Sequence, residues 1–459
     1  MTASHRQTRL AVVIPTLNEA EHLPLLLRDL RLLDLPHHVV VCDGGSTDST
    51  PQLARSEGAL VVGSAPGRGH QLNRGAWGSA APWLLFLHAD CRLPPLARDA
   101  IRRQLLASPD PPTDTAFHFR FQMNERRISF RLLELGQRLR EVATGLVYGD
   151  QGLLVGRELF MRCGGFPPFP VMEDVEFIRR IRGAGARIRA LPAALPTSGR
   201  RYAHEGVVRG GLRNGWLLAR YLSGASPQDL AEQYAYPSPR KPKAETTSGK
   251  HGRILLFTKA PRPGSVKTRL AREMGDEAAC AIYRQMGADT VTALAGLPYP
   301  LEVRYTPDDS QAEQEVRRWL EPQGATHFVP QGPGDLGARM AAAISQGVGD
   351  GRRVCVVGAD LPQMNPQLIV EAYSAMDNGA DLVLGPALDG GYYLLATGAL
   401  HPQLFHGMEW SQARVLQETL ARAHNLDLSV YLLPPLRDVD TLEDLRLTAP
   451  SMESLAPTG

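Results

Sequence analysis

Trp83-Leu84-Leu85-Phe86-Leu87-His88-Ala89-Asp90 is an apolar run that stops at an acid, with the breaker pair Pro94-Pro95 close behind. Continuous apolar character followed by a turn suits a strand buried on both faces, as in the middle of a parallel sheet. Such a strand delivers its last residues to the carboxyl edge of the sheet, where open α/β folds place their ligands. Asp90 stands at that edge, either as the cap of a turn or as a hard oxygen ligand for Mg2+ or Mn2+ beside a diphosphate. The design returns at Arg353-Val-Cys-Val-Val-Gly-Ala-Asp360-Leu-Pro362, which puts Asp360 in the same position of a second sheet.

A chain of 459 residues exceeds one ordinary core, and two domains are expected. With 43% apolar and 21% charged residues it reads as a soluble globular protein, and a net charge of +2 without a long Lys/Arg run excludes a nucleic-acid surface. The five cysteines have no metal-ligand spacing and are odd in number, which points to a reducing compartment. The N-terminus reaches Asn18-Glu19 after a short apolar run, unlike a signal peptide, and no stretch approaches the ~18 apolar residues of a membrane span. A cytoplasmic location is expected. The basic amphipathic stretch Gly206 to Leu222, with Arg209, Arg213 and Arg220, covers the core or lies against the inner face of a membrane.

In chain order, Leu10 to Glu19 is a short apolar strand ending in a polar turn, and Ala20 to Leu33 has helical spacing. Val39 to Asp43 is a second strand, followed by Gly44-Gly45-Ser46-Thr47-Asp48. Gly58 to Val62 is a third, and Gly67-Arg68-Gly69 opens the helix that carries Asn73 and Gly75. Alternating Phe117, Phe119 and Phe121 mark a strand over 116–127, and Phe130 to Val142 a helix. Gly149-Asp150-Gln151-Gly152 precedes the strand Leu153-Leu154-Val155, and Met172-Glu173-Asp174 opens a helix, where an acid is often only an electrostatic cap.

Pro15 to Glu19, Cys42 to Asp48, Gly67 to Gly75, His88-Ala89-Asp90 and Glu173-Asp174 together resemble, in type and order, the family 2 glycosyltransferases over about residues 8 to 225. The likeness is nearest to the subgroup associated with arsenosugar biosynthesis and radical-SAM selenoproteins, whose relatives include carotenoid-acid glycosyltransferases. The resemblance implies a GT-A fold and inverting, metal-dependent transfer from a nucleotide-sugar to a small or lipid-like acceptor. Glu19 and Asp43 would hold base and ribose, Arg68 and Asn73 the diphosphate or sugar, Asp150 and Gln151 the acceptor. Asp90 would bind Mg2+ or Mn2+, and Asp174 would be the general base. His88 replaces the first acid of the family's metal motif, so its role as ligand or core residue stays open.

From Tyr236 to Ile254 there is hardly an apolar residue, so 233–252 reads as a flexible linker between domains at 8–232 and 253–445. Beyond it, Thr258 to Leu270 is a basic turn entering a helix, with Lys259, Arg262, Lys267 and Arg269, a natural phosphate site without P-loop glycine spacing. This segment, Gly358-Ala359-Asp360 and Asp389-Gly390-Gly391 resemble a family of uncharacterised nucleotidyltransferase-like proteins (DUF2064). By that resemblance Lys267 and Arg269 bind a nucleoside triphosphate and act in catalysis, Asp360 holds a metal, and Asp389, Gly390 and Gly391 meet the second substrate.

The expectation is thus an α/β chain of two doubly wound, mostly parallel GT-A domains, a bifunctional transferase using Mg2+ or Mn2+. The alternative is a membrane-surface scaffold whose second domain binds nucleotides without turnover. Donor base, sugar, acceptor and oligomeric state are not set by any motif of fixed spacing.

Overall fold

The computed structural model describes residues 8–124, 128–198, 206–233, 252–349, 352–410 and 412–455. The chain divides into two compact units, Met1–Pro242 and Lys243–Gly459. The interior of the expected linker, 234–251, lies outside the described residues.

The first unit is built on β1 (Leu10–Thr16), β2 (His37–Asp43), β3 (Leu60–Gly63), β4 (Trp83–Phe86), β5 (Thr115–Met123), β6 (Leu153–Gly156) and β7 (Arg187–Thr197), in the order β3-β2-β1-β4-β6-β5-β7. β3, β2, β1 and β4 run parallel, and β6 is antiparallel to both β4 and β5. The sheet is buried on both sides, which explains the unbroken apolar runs: Leu10, Val12 and Ile14 of β1 enter one core layer, Ala11 and Val13 the other. All four residues of β4 are buried between β1 and β6, as the Trp83 run predicts.

In β5 the three phenylalanines share one buried face, yet His118 on the other face is buried as well. Helix Ile128–Thr144 packs there and pairs Glu141 Oε1 with His118 Nε2 at 3.3 Å. Glycines bring helix Arg68–Trp77 close to its neighbours. A Cβ on Gly75 would lie 2.4 Å from Val13 Cγ1, and one on Gly69 equally close to the Pro167 carbonyl oxygen.

The second unit contains β8 (Gly252–Lys259), β9 (Leu301–Thr306), β10 (His327–Pro330), β11 (Arg353–Gly358), β12 (Leu382–Pro386), β13 (Tyr392–Thr397) and β14 (Val430–Leu432), ordered β10-β9-β8-β11-β13-β12-β14. Counted from its own first strand, this is the order of the first unit again, with β13 as the antiparallel member. β11 therefore occupies the place of β4. Asp360 follows it as Asp90 follows β4.

Candidate functional site

Each unit has a cleft at the carboxyl edge of its parallel strands, beside the point where strand order reverses. In the first unit Arg68, His88, Asp90, Asp150 and Asp174 line one small cavity of about 100 Å³. That volume lies below the roughly 300–1,000 Å³ of drug-sized ligand sites, so its enclosed part is smaller than a whole nucleotide-sugar.

Asp174 sits in the first turn of helix Glu173–Gly183, entered through Met172 in a left-handed conformation. Its Oδ2 accepts from the Gly149 N–H at 2.7 Å and its Oδ1 from the Val175 N–H at 2.8 Å. Two bonds on a carboxylate leave lone pairs for an incoming hydroxyl. The neighbouring Glu173, almost wholly buried, bonds Arg68 Nε at 2.7 Å and holds that guanidinium on the cleft wall. Tyr148 also faces the cavity. Burial, together with the nearby Asp174 and Asp150, pushes its hydroxyl up to about 12 against the opposing pull of Arg140, so it remains a neutral donor. The Arg140 guanidinium lies 3.5 Å from the Tyr148 ring centroid.

Asp43, Asn73 and Gln151 make hydrogen bonds within the fold. Asp43 accepts from Thr16 Oγ1 (3.1 Å), Ser46 Oγ (2.5 Å) and the N–H groups of Gly45 (3.0 Å) and Ser46 (2.8 Å). These bonds occupy the four lone-pair positions of the carboxylate and shape the turn that follows β2. Asn73 donates to the Phe166 carbonyl at 2.8 Å and accepts from the Phe166 N–H at 2.9 Å, which spends its amide on the loop before Asp174. Gln151 is 1% exposed and turns inward, where it accepts from the Tyr148 N–H and donates to Glu141. Glu19 stands beyond β1 at the same sheet edge, outside the cavity lining, with its N–H bonded to Thr50 Oγ1.

Tyr148, Thr197 and Asn214, which no sequence motif singles out, also line the cavity, together with Arg213 of the basic stretch. Arg213 and Asn214 belong to helix Val207–Leu222, the stretch expected to cover the core or lie against a membrane. A finer packing detail lies at Gly149: a Cβ there would stand 2.9 Å from His88 Nε2 and 3.3 Å from Asp174 Oδ2. Gly149→Ala is therefore expected to displace the His88 ring, press on Asp174 by a few tenths of an ångström and lower turnover in this cleft several-fold, with a nearly unchanged melting temperature. Steady-state turnover beside a thermal melt checks this, and parental turnover would overturn it.

The second cleft is larger, about 720 Å³, within the range of cofactor and nucleotide sites. Lys259, Lys267, Arg269, Asp360, Asp389 and Gly391 all line it. Lys267 adopts a left-handed backbone at the start of helix Thr268–Met274, and its side chain is 5% exposed. Its Nζ lies 2.8 Å from Asp360 Oδ2 and 3.4 Å from Asp440 Oδ1, while Arg269 reaches Asp440 at 3.1 Å. Burial alone would lower the Lys267 pKa, but the two carboxylates outweigh it and raise it above the ordinary value. Burial likewise opposes charge on Asp360, and Lys267 overrides it, holding the carboxyl below its usual range.

Arg262 leaves the expected basic cluster: it bonds Glu315 at 2.7 Å and faces Asp309 instead of the cleft. Gly390, with φ of 94°, lies under the Ala413 carbonyl, where a Cβ would meet the oxygen at 2.1 Å, so it is a backbone requirement and not a cleft contact. Asp438 and Asp440 were missed, although Arg437-Asp438-Val439-Asp440 follows a short strand as acids follow β4 and β11.

Burial first, then Asp389 and Asp440, push the Asp438 carboxyl up to about 6. Between its unfolded value of 3.8 and about 6 the folded chain holds the extra proton, so this group's contribution to stability falls as pH rises through that window. Asp438→Asn is expected to stabilise the second unit near neutral pH by on the order of 1–2 kcal/mol after solvent screening, and to give no gain near pH 4. Thermal melts at the two pH values test it; equal gains at both would assign the effect to packing.

Among the described residues no group of three or more His, Cys, Asp or Glu is spaced to hold a metal unaided. Mg2+ and Mn2+ are commonly held by one or two carboxylates plus substrate phosphates, so Asp90 and Asp150 in one cleft, and Asp360 with Asp438 in the other, are donor sets of fitting chemistry.

Residues 11–135 match the model of a family described as Glycosyl transferase family 2, and residues 290–412 match one described as "Uncharacterized protein conserved in bacteria (DUF2064)". The chain is 31% identical over 107 residues to the 4,4'-diaponeurosporenoate glycosyltransferase of Staphylococcus aureus (strain USA300), in an alignment covering 22% of this chain and 28% of the relative. It thus spans little more than a quarter of the curated relatives it matches. Among solved structures, it is similar to a candidate nucleotide-diphospho-sugar transferase from Desulfovibrio desulfuricans G20, with 34% identity, 44% of this chain and 93% of that one covered, and a TM-score of 0.41. A mannosyltransferase from Pyrobaculum calidifontis in complex with GDP-Man and Mn2+ is 24% identical over 50% of this chain and 69% of its own, with a TM-score of 0.37.

Proposed function

We propose, for a chain that carries a glycosyl transferase family 2 domain in its first half and a DUF2064 domain in its second, that the first unit transfers a sugar from a nucleotide-sugar to an acceptor hydroxyl. The observation that carries this reading is the meeting of Asp174, Asp90, Asp150 and Arg68 in one cavity at the carboxyl edge of the sheet. The acceptor oxygen attacks the anomeric carbon, the bond from that carbon to the diphosphate oxygen breaks with inversion, and the acceptor's proton passes to Asp174. Gly149 and the helix start fix the Asp174 carboxylate for that task. Arg68, held by Glu173, lies where it can bond the departing diphosphate. A Mg2+ or Mn2+ ion held by Asp90, with Asp150 nearby, would supply neutralisation of that diphosphate when bound.

For the second unit the proposal is a nucleotidyl or related phosphate-handling transferase. Lys259, Lys267 and Arg269 supply positive charge for a triphosphate, and Asp360 and Asp438 the oxygen donors for a cation. In nucleotidyl transfer a phosphate oxygen of the second substrate attacks the α-phosphorus, and the bond to the leaving pyrophosphate breaks. Two catalytic units on one chain invite a coupling in which the second makes an activated substrate for the first.

A thermal-shift screen of nucleoside triphosphates and nucleotide-sugars with Mg2+ or Mn2+ tests both assignments, because a ligand at a hundred times its Kd adds roughly 2.7 kcal/mol. Nucleoside diphosphate release from the stabilising sugar donor, dependent on an added acceptor, is the expected result for the first unit. A screen in which no nucleotide-sugar shifts the melt or releases diphosphate overturns it.

A further inference from the structure

Helix Ile128–Thr144 and helix Val207–Leu222 pack side by side in the first unit, with Leu133 set against Gly211. Their inner faces are apolar and buried, through Phe130 on one and Leu217, Leu218 and Tyr221 on the other. The outer faces are apolar too. Leu132, Leu135, Leu139 and Val142 recur at helical spacing along the first helix, and Leu212 and Trp216 lie one turn apart on the second, all 51–87% exposed. Leu132 and Leu212 are the chain neighbours of Leu133 and Gly211, which meet where the two helices pack. Scattered exposed leucines are ordinary, but stripes at helical spacing on two packed helices mark an interaction surface.

The charge around the patch selects its partner. Helix Val207–Leu222 contains Arg209, Arg213 and Arg220 and no acid, and the Arg220 guanidinium lies 5.2 Å from the Trp216 ring centroid. The longer helix carries Arg138, while Arg131 pairs with the buried Glu134 at 2.7 Å, Arg140 lies over the Tyr148 ring and Glu141 pairs with His118, so Arg138 is its cation on the outer side. Exposed leucines with a tryptophan, flanked by arginines, match the requirements of an interfacial helix pair, whose apolar face enters the headgroup boundary while its cations meet anionic lipid. Among the described residues no helix is long and apolar enough to cross a membrane, so this would be attachment in the plane of the surface.

We infer that this face docks the protein on an anionic lipid surface. Gly210 and Arg213 of the same helix line the first cavity, so docking places its mouth beside the headgroups. Delivery of a lipid-borne acceptor there rests on the glycosyl-transfer reading; the docking itself does not.

Co-sedimentation of the full chain with phosphatidylcholine vesicles, carrying or lacking phosphatidylglycerol, tests the inference independently of any turnover. Binding is expected only with the anionic lipid and should weaken as salt rises. The double variant Leu135→Glu/Leu139→Glu, and separately Trp216→Ala, should each retain the parental melting temperature and lower vesicle affinity by about tenfold or more. No parental binding to anionic vesicles, or binding undiminished in both variants, overturns the inference. If light scattering shows a parental dimer that the double variant converts to monomer, while vesicles are ignored, the face is an interface between copies and the lipid assignment fails.

Discussion

Replacing Asp174 with Asn is expected to lower sugar transfer by about 10²- to 10⁴-fold, the usual contribution of a general base, because an amide cannot take the acceptor's proton. The substitution keeps size and shape. An Asn Oδ1 still accepts from the Gly149 N–H, which Asp174 bonds at 2.7 Å, and Asn is well tolerated at helix starts. What remains of the structural loss is the interaction of a charge with the helix N-terminus, about 0.3–1 kcal/mol. Donor affinity should stay within a few-fold of the parent, since Arg68 and Asp90 are untouched. The measurement is single-turnover transfer at saturating donor, alongside a direct donor titration. Transfer within about threefold of the parent would leave Asp174 as a helix cap and reject the base. Read together with Gly149→Ala, the two variants separate loss of the carboxylate from its displacement.

Lys267→Met is expected to destabilise the second unit near neutral pH and abolish its nucleotide binding. The ammonium is the shared partner of Asp360 and Asp440, and Asp438 and Asp389 lie in the same cleft. Removing it leaves these carboxylates facing one another with the partly exposed Arg269 as the cation still bonded to Asp440. Breaking a fully buried pair costs about 3–5 kcal/mol; with Asp360 and Asp440 each more than a third accessible, water reduces that to roughly 2 kcal/mol.

The sign with pH follows from the carboxyl groups. Without Lys267 the folded-state pKa of Asp360 rises from its depressed position, so the folded variant gains protons sooner on acidification than the parent. The stability gap should therefore be widest near pH 7 and narrow as pH falls toward the carboxylate range. A divalent cation should restore part of the loss in the variant, because it can replace the missing positive charge. Thermal melts across pH, with and without Mg2+, check both points. A gap that is constant with pH would mean that Lys267 acts through packing of its stem and not through charge.

Much of this arrangement was legible in the chain. The run Trp83 to Leu87 reads as a doubly buried strand because nothing in it alternates, and the acid after it falls at the sheet edge wherever the strand is central. The recurrence of that design at Arg353 to Asp360 foretold a second sheet of the same kind, and the strand order of the two units is identical. Arg68, Asp90, Asp150 and Asp174 come together in one cavity, and Lys267, Arg269, Asp360 and Asp389 in the other.

A polar side chain with two places to go is harder to assign from the chain alone. Asp43, Asn73 and Gln151 are polar residues in motif segments, and local composition cannot say whether such a group meets a ligand or a backbone. The Phe166 backbone that occupies Asn73 lies 93 residues away in sequence. Arg262 was grouped with Lys259 and Lys267 by proximity along the chain, yet its partner Glu315 comes from a helix 53 residues later.

Patterns of burial and chain punctuation are local, and so the sequence by itself determined the central strands of the two units and the acids that follow β4 and β11. Hydrogen-bond saturation is not local. Only the tertiary structure decided that Asp43 has its four acceptor positions filled while Asp174 has two, that Asp438 and Asp440 close the cleft around Lys267, and that the outer leucines of helix Ile128–Thr144 face away from the core. The physical reason is that a periodic apolar pattern reports how many faces of an element avoid water. Which partner satisfies each polar group, or covers each apolar face, depends on segments that only folding brings into contact.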